Sequence, residues 1–397
     1  MGDSPVVRSL ETLPQRFRGD NARVSARFRV SVGRCARDIV VDAGRCEVVK
    51  ANGVKPDVEI ATDPDTWFEM EQGRLSGIEA FSQHRLMVRG SIEKSLLFEP
   101  LFERPSAGAM DYTIEHIGHR GGRICAVLAG DPSAEPLLMI HGLGGTKSSF
   151  LPIVPEMAKR YRVIALDLPG FGSSAKPRGR YDAPWFAQRM FTFMDQLDID
   201  SAYLVGNSMG GRISMEMSMM DPGRVKALAC LCPATAFMQR PALRLVKLLR
   251  PELAFAASYL PRNYVLDGLR QLFANPGRVE DEWFQAAVDD FMNIWRSPRA
   301  RMAFSAAARH IYLDEPMGES GFYARLAAMG SPALYVYGTH DVLISHQFSH
   351  RVRKALPNSK VVVWKDCGHV PQIEHPERTS ELLVDFFAGL SAAQRVG

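Results

Sequence analysis

LVGNSMGG, Leu204 to Gly211, sets a single serine between glycines directly after an apolar run. The text before it, AYLV, reads as a strand, and MGGRISMEMSMM after it reads as a helix halted by the breaker Asp221-Pro222-Gly223. A strand ending at Val205 and a helix starting by Met209 leave only a very sharp turn, which would lift Ser208 above the sheet edge. Gly206, Gly210 and Gly211 fit that turn, because a Cβ there would meet neighbouring strand or helix backbone. Serine is also a preferred helix N-cap, so the octet alone allows two roles. The strand before and the helix after favour a nucleophile.

Outward from the octet the same alternation repeats. ICAVLAG, PLLMIHG, YRVIALDLPG, VKALACLCPA and PALYVYGTHD are strand cores without polar alternation, separated by helical text. Such a pattern predicts an α/β fold with a mostly parallel central sheet covered on both faces. Between VKALACLCPA and PALYVYGTHD lie helical stretches such as LRLVKLLRPELAFAASYL and DEWFQAAVDDFMNIW. They predict a helical cap at about 235–330, over the carboxyl edge of the sheet.

A serine hydroxyl is a weak nucleophile and needs a base. His369, in CGHVPQIEHPE after the final strand, is the candidate. A carboxylate must hold the imidazole in one tautomer, and Asp341 at the end of LYVYGTHD is placed for it; Asp366, three residues before His369, is a rival. The negative oxygen of a tetrahedral intermediate calls for two donors. Met209, just after Ser208, would supply one N–H, and Leu143 in HGLGG the other. Phe237, Met238 and Trp295 in the cap are candidates for substrate binding, although each could equally be cap core. Arg296 and Arg301 could pair with a substrate carboxylate, and arginine is also common on exposed helix faces.

HGLGG, DLPGFGSS, GNSMGG, YGTHD and GHVPQIEHPE fall in the order of the landmarks of the α/β-hydrolase superfamily, and residues 115 to 392 resemble it. The resemblance implies Ser208 as nucleophile, His369 as base, Asp341 as orienting acid, and Leu143 with Met209 as oxyanion hole. Epoxide hydrolases and haloalkane dehalogenases of this superfamily carry aspartate where this chain has Ser208, which argues against both reactions.

Val24 to Phe102 reads differently. ARFRVSV and DVEIATD alternate charged with apolar residues, as neighbouring antiparallel strands with one wet face do. Asp63-Pro64-Asp65 opens a helix, and IEKSLLFEPLF carries an apolar stripe that Pro100 must bend or end. The segment DPDTWFEMEQGRLSGIEAFSQHRLMVRGSIEKSLLFEPLF resembles the sterol-carrier-protein type of lipid-binding domain. The resemblance implies a small α+β domain whose helices cover a sheet around an apolar tunnel. The expected organisation is an N-terminal extension over 1–23, this domain over 24–102, a linker over 103–110 and the hydrolase domain over 111–397.

Composition sets the outer bounds. At 397 residues, 46% of them apolar, the chain has material for two cores. Its 48 basic and 44 acidic residues leave +4, which does not point to nucleic acid, and no GxxxxGK[ST] phosphate loop occurs. Six cysteines without a CxxC pair suit a reduced compartment without structural metal. The opening residues contain no apolar signal core, and there is no apolar run of transmembrane length. The expectation is a cytoplasmic serine hydrolase that needs no cofactor or metal and inserts stably in no membrane. It would cleave a carboxylic ester of a hydrophobic or acyl substrate, a lipid among them. A thioesterase, a carbon–carbon hydrolase of diketone type and a non-enzymatic lipid-binding protein are the alternatives; the sequence leaves the oligomeric state open.

Overall fold

The structure is a computed structural model and describes residues 4–19, 24–118, 122–235 and 259–396. It divides into two compact units, Met1–Ile114 with Val279–Asp290, and Glu115–Arg278 with Phe291–Gly397.

The first unit opens with helix α1 (Pro5–Glu11) in the stretch expected as an extension. Strands β1 (Ala26–Val32), β2 (Cys35–Asp42), β3 (Arg45–Lys50) and β4 (Val58–Thr62) follow, then α2 (Pro64–Glu71), α3 (Gly77–Ser82), β5 (Leu86–Gly90) and α4 (Ile92–Phe98). The sheet order is β3-β2-β1-β4-β5. β1 and β2 pair antiparallel as expected, but β1 and β4 run parallel, a direction that alternation, which shows only which face of a strand is wet, leaves open.

Alternation along β1 buries Phe28, Val30 and Val32 and turns Arg27 and Arg29 to the other face. There Arg29 faces Asp38 across the ladder, its Nε 2.8 Å from the carboxylate. Each fully buried apolar side chain stabilises this small core by about 1.5–3 kcal/mol. Asp63 caps α2 by accepting the Thr66 N–H at 2.9 Å, and Ser76 with Glu79 forms a capping box on α3. α4 stops at Phe98 and gives way to a tight turn over Glu99–Leu101 that contains Pro100.

The second unit is built on an eight-stranded sheet. Its elements are β6 (Tyr112–Ile117), β7 (Ile124–Ala129), β8 (Pro136–Ile140), α5 (Val154–Ala158), β9 (Arg162–Leu166), α6 (Ala183–Asp195), β10 (Ala202–Asn207), α7 (Met209–Met220) and β11 (Val225–Leu231). After them come α8 (Arg262–Arg270), α9 (Asp281–Trp295), α10 (Pro298–Leu313), α11 (Phe322–Ala327), β12 (Ala333–Gly338), α12 (Phe348–Ala355), β13 (Lys360–Trp364), α13 (Pro371–Glu374) and α14 (Pro376–Val396).

The strand order is β13-β12-β11-β10-β8-β9-β7-β6. Pairing is parallel from β13 to β9 and antiparallel between β9 and β7. All six residues of β10 and of β12 are buried, which explains their unbroken apolar text. Helices α8 to α11 occupy the described part of the interval between β11 and β12, where the sequence predicts a cap, while most of LRLVKLLRPELAFAASYL lies outside the described residues; within that interval Val279–Asp290 groups with the first unit. No helix among the described residues is long and apolar enough to cross a membrane.

Candidate active site

The loops beyond the carboxyl ends of β8, β10, β11, β12 and β13 carry the groups of interest. β10 ends at Asn207, α7 begins at Met209, and Ser208 turns the chain between them with φ +55° and ψ −115°. A non-glycine residue at such angles stores of order 1–3 kcal/mol. Glycines make the turn sterically open: a Cβ on Gly206 would overlap the Gly210 backbone, and one on Gly210 would overlap the Ile140 carbonyl of β8. Ser208 occupies the N-cap position, yet its side chain makes no capping hydrogen bond, and the residue is half-buried rather than sealed. Of the two roles the octet allowed, the cap is not the one its hydroxyl performs.

His369 and Asp341 meet. The imidazole Nδ1 lies 2.7 Å from Asp341 Oδ2, and the two side chains are 5% and 0% exposed. The other carboxylate oxygen accepts the Leu343 and Ile344 N–H groups, each at 2.8 Å, which fixes the face that Asp341 shows to the ring. Asp366, the rival carboxylate, points elsewhere: it is exposed and pairs with Arg278, which with a hydrogen bond as the leading cause holds its carboxyl below the ordinary range.

Several contacts absent from the sequence reading hold the histidine loop. Asn207 Nδ2 donates to the His369 carbonyl at 3.0 Å, fastening the loop to the residue preceding Ser208. The His369 N–H donates to the Leu272 carbonyl at 2.6 Å. Buried Glu374 accepts the Gly368 N–H at 2.7 Å and the Asn275 N–H at 2.8 Å. A Cβ on Gly368 would overlap the Leu272 carbonyl, so only glycine passes there. Among the described residues no hydrogen bond joins the Ser208 hydroxyl to His369. Such bonds commonly tighten only when a substrate is bound.

The loop after β8 lies against the serine, where a Cβ on Gly142 would come 3.1 Å from Ser208 Cβ. Met209 is the first residue of α7, so its N–H has no acceptor inside the helix. The Gly142 carbonyl accepts the Gly145 N–H at 3.1 Å and lies 2.7 Å from His141 Nδ1. In a planar trans peptide the Leu143 N–H therefore points the opposite way.

Cys232, with φ +45° just beyond β11, brings its thiol to within 4.8 Å of both Asp341 and His369 ligand atoms. Burial first, and the Asp341 charge second, push that thiol far up, so it stays protonated. With His369 and Asp341 hydrogen-bonded to each other, the three form a proton-holding cluster better than a metal site.

Of the cap residues, Trp295 stacks on Phe291 at 5.7 Å and meets Phe304 edge-on at 5.6 Å. A Cβ on Gly144 would come 3.0 Å from Phe304 and 3.1 Å from Phe291, which places those two rings against the loop after β8. Phe237 and Met238 lie outside the described residues. Buried Arg301 donates to the Trp295 and Arg296 carbonyls at the end of α9, while Arg296 is exposed. A cavity of about 250 Å³ adjoins Met209 and is lined also by Tyr181, Phe186, Ile213, Arg212 and Ile311. Its Arg212 is occupied by Glu216 and Asp314.

Residues 135–376, more than half of the chain, match the α/β hydrolase fold family. The chain belongs to that family. Residues 11–103 match the SCP-2 sterol transfer family. The match begins before β1, at the end of α1. The hydrolase is 30% identical over 268 residues to a 2-hydroxymuconate semialdehyde hydrolase of Pseudomonas sp. strain CF600, covering 65% of this chain and 88% of that one. It is 28% identical over 261 residues to a pimeloyl-[acyl-carrier protein] methyl ester esterase of Aeromonas hydrophila, covering 63% and 94%. Among solved structures, a bacterial membrane phospholipase A superposes with a TM-score of 0.59 at 25% identity, covering 71% of this chain and 87% of that one.

Proposed function

We propose that this α/β-hydrolase cleaves a carboxylic ester of a hydrophobic or acyl substrate through an acyl-enzyme formed on Ser208. The observation that carries the reading is the buried contact between Asp341 Oδ2 and His369 Nδ1, at 2.7 Å, on a loop tied to the residue before an uncapped serine. His369 takes the Ser208 proton as the hydroxyl attacks the ester carbonyl, then returns it to the leaving alcohol. The same imidazole activates water to release the acid. The Leu143 and Met209 N–H groups meet the negative oxygen of each tetrahedral intermediate, and losing one such donor costs about 3 kcal/mol.

The SCP-2-type unit and the similar proteins named for a pimeloyl-[acyl-carrier protein] methyl ester and for a phospholipase support a lipid-like acyl substrate. A cytoplasmic setting belongs to the same reading, in keeping with six cysteines that form no disulfide. A second reading, hydrolysis of a carbon–carbon bond in an activated diketone, uses the same three side chains and is favoured by the semialdehyde hydrolase relative.

The deciding experiment labels the full chain with a fluorophosphonate and measures turnover of p-nitrophenyl esters, acyl thioesters and a vinylogous diketone, with Ser208→Ala in parallel. Ester turnover and a Ser208 adduct, both lost in the variant, are expected. Turnover of the diketone alone would move the assignment to carbon–carbon chemistry. A chain that takes no label and turns over nothing would leave lipid binding by the first unit as the function.

A further inference from the structure

Three buried polar groups beside the candidate oxyanion loop have no part in the chemistry above. His141 directly follows β8 and is fully buried. Its Nε2 lies 3.0 Å from the Leu168 N–H, which donates to it, so Nε2 carries a lone pair. The ring proton then sits on Nδ1 and is donated to the Gly142 carbonyl at 2.7 Å. This is the carbonyl whose direction sets that of the Leu143 N–H.

Asp167, just past β9, accepts the Lys147 N–H and the Lys147 ammonium, both at 2.8 Å, and the Ser173 N–H at 2.9 Å. The two side chains are 1% and 0% exposed. Burial pulls Asp167 upward, but the charge of Lys147 and the bonds from Lys147 outweigh it and hold the carboxyl below its ordinary range. The charged groups that face His141 are Asp167 and Lys147; the Gly142 carbonyl meets Nδ1, and the Phe171 ring stands edge-on at 5.6 Å. Burial, first, disfavours an imidazolium; Asp167 and the Gly142 carbonyl favour it, and Lys147 opposes it.

We propose that Lys147 is a positioning residue: its ammonium neutralises Asp167, keeps His141 uncharged, and so holds the Gly142–Leu143 peptide with its N–H aimed at the reacting oxygen. This rests on the hydrolase reading, since that N–H matters only where an oxyanion forms. Without the ammonium, the buried Asp167 carboxylate keeps its charge with no counter-charge beside it, and His141, the neighbouring base, takes up one proton from solvent to supply it. An imidazolium would set Nε2–H against the Leu168 N–H, donor to donor, and the ring would have to turn. The Gly142 carbonyl would lose the Nδ1–H and keep only the Gly145 N–H, and the peptide that carries the Leu143 N–H would be held less firmly.

The test uses the full chain and two readouts between about pH 5.5 and 8.5, a range that brackets an ordinary imidazole. Nitrogen-15 NMR reads the His141 ring, assigned with His141→Gln, and fluorophosphonate labelling reads Ser208. In the wild type, His141 should remain neutral with its proton on Nδ1 throughout. Lys147→Met should label about a hundredfold more slowly at the acid end, the size of losing one oxyanion donor, and recover as pH rises. Lys147→Arg, which keeps the charge, should show no new acid limb.

A wild-type His141 that titrates like an ordinary imidazole would overturn the proposal, even if Lys147→Met does not fold. So would a folded Lys147→Met with a flat profile and a neutral His141. Absence of labelling in the wild type at every pH would remove the hydrolase reading and this inference with it, and the NMR arm would show which of the two failed first.

Discussion

At the scale of single residues, the site is a matter of which atom faces which. Asp341 uses one oxygen for the Leu343 and Ile344 N–H groups and the other for His369. In Asp341→Asn the amide oxygen would stay with the two backbone donors and turn the NH2 toward Nδ1. The imidazole would then carry its proton on the wrong nitrogen. Ester turnover should fall about 10⁴-fold while the melting temperature changes little, which steady-state kinetics beside a thermal melt would check.

Ser208 poses the opposite trade. With its backbone at φ +55°, Ser208→Gly should be more stable than Ser208→Ala by about 1 kcal/mol in urea unfolding, both variants being inactive. Equal stabilities would mean that the turn holds no strain. The sequence marked Ser208, Asp341 and His369 because each lies in the turn or loop that follows a recognisable strand. It carried no sign of Glu374, an acid at the end of the short helix α13 whose partners lie at Gly368 and Asn275. Glu374→Gln should cost about 1–3 kcal/mol, since an NH2 group would replace one acceptor of those buried N–H donors.

At the scale of elements, the strand–serine–helix turn was legible because sterics leave glycine as the residue that fits around it. Gly210→Ala tests this: the new methyl would overlap the Ile140 carbonyl, so either β8 or α7 must move. A loss of about 3 kcal/mol or more, or failure to fold, is expected from circular dichroism and urea melts; a variant as stable as the wild type would refute the close approach. The parallel pairing of β1 with β4 was not legible. Alternation reports which face of a strand is wet, and that is the same for a parallel as for an antiparallel neighbour. Nor did the cap helices declare their partners. Phe291 and Trp295 have helical spacing on α9, but that spacing does not say that Phe291 lies against Gly144 while Trp295 stacks on its neighbour.

At the scale of the whole molecule, buried charge ties stability to pH. His141 sits below its ordinary range chiefly through burial, so the unfolded chain binds a proton that the folded chain refuses. Its contribution is complete above about pH 6.5 and is lost as pH falls below that value. Asp167 is held below the ordinary carboxylate range, so its contribution is present above about pH 4 and is lost in stronger acid. Both act in one direction: the melting temperature of the intact chain should fall from neutral pH to about pH 5 and again below about pH 4. His141→Gln should blunt the first drop, which calorimetry across that range would measure. What the sequence determined by itself was whatever local sterics and periodicity encode: the order of strands and helices, the sharp turn at Ser208, and the strands whose following loops carry Asp341 and His369. What only the tertiary structure decided was each partnership between distant segments. Asp341 rather than Asp366 meets the imidazole, Asn207 fastens the His369 loop, and Lys147 reaches Asp167. The physical reason is that such pairings depend on the order and register in which strands join the sheet, set by the packing of the entire core and by no single stretch of chain.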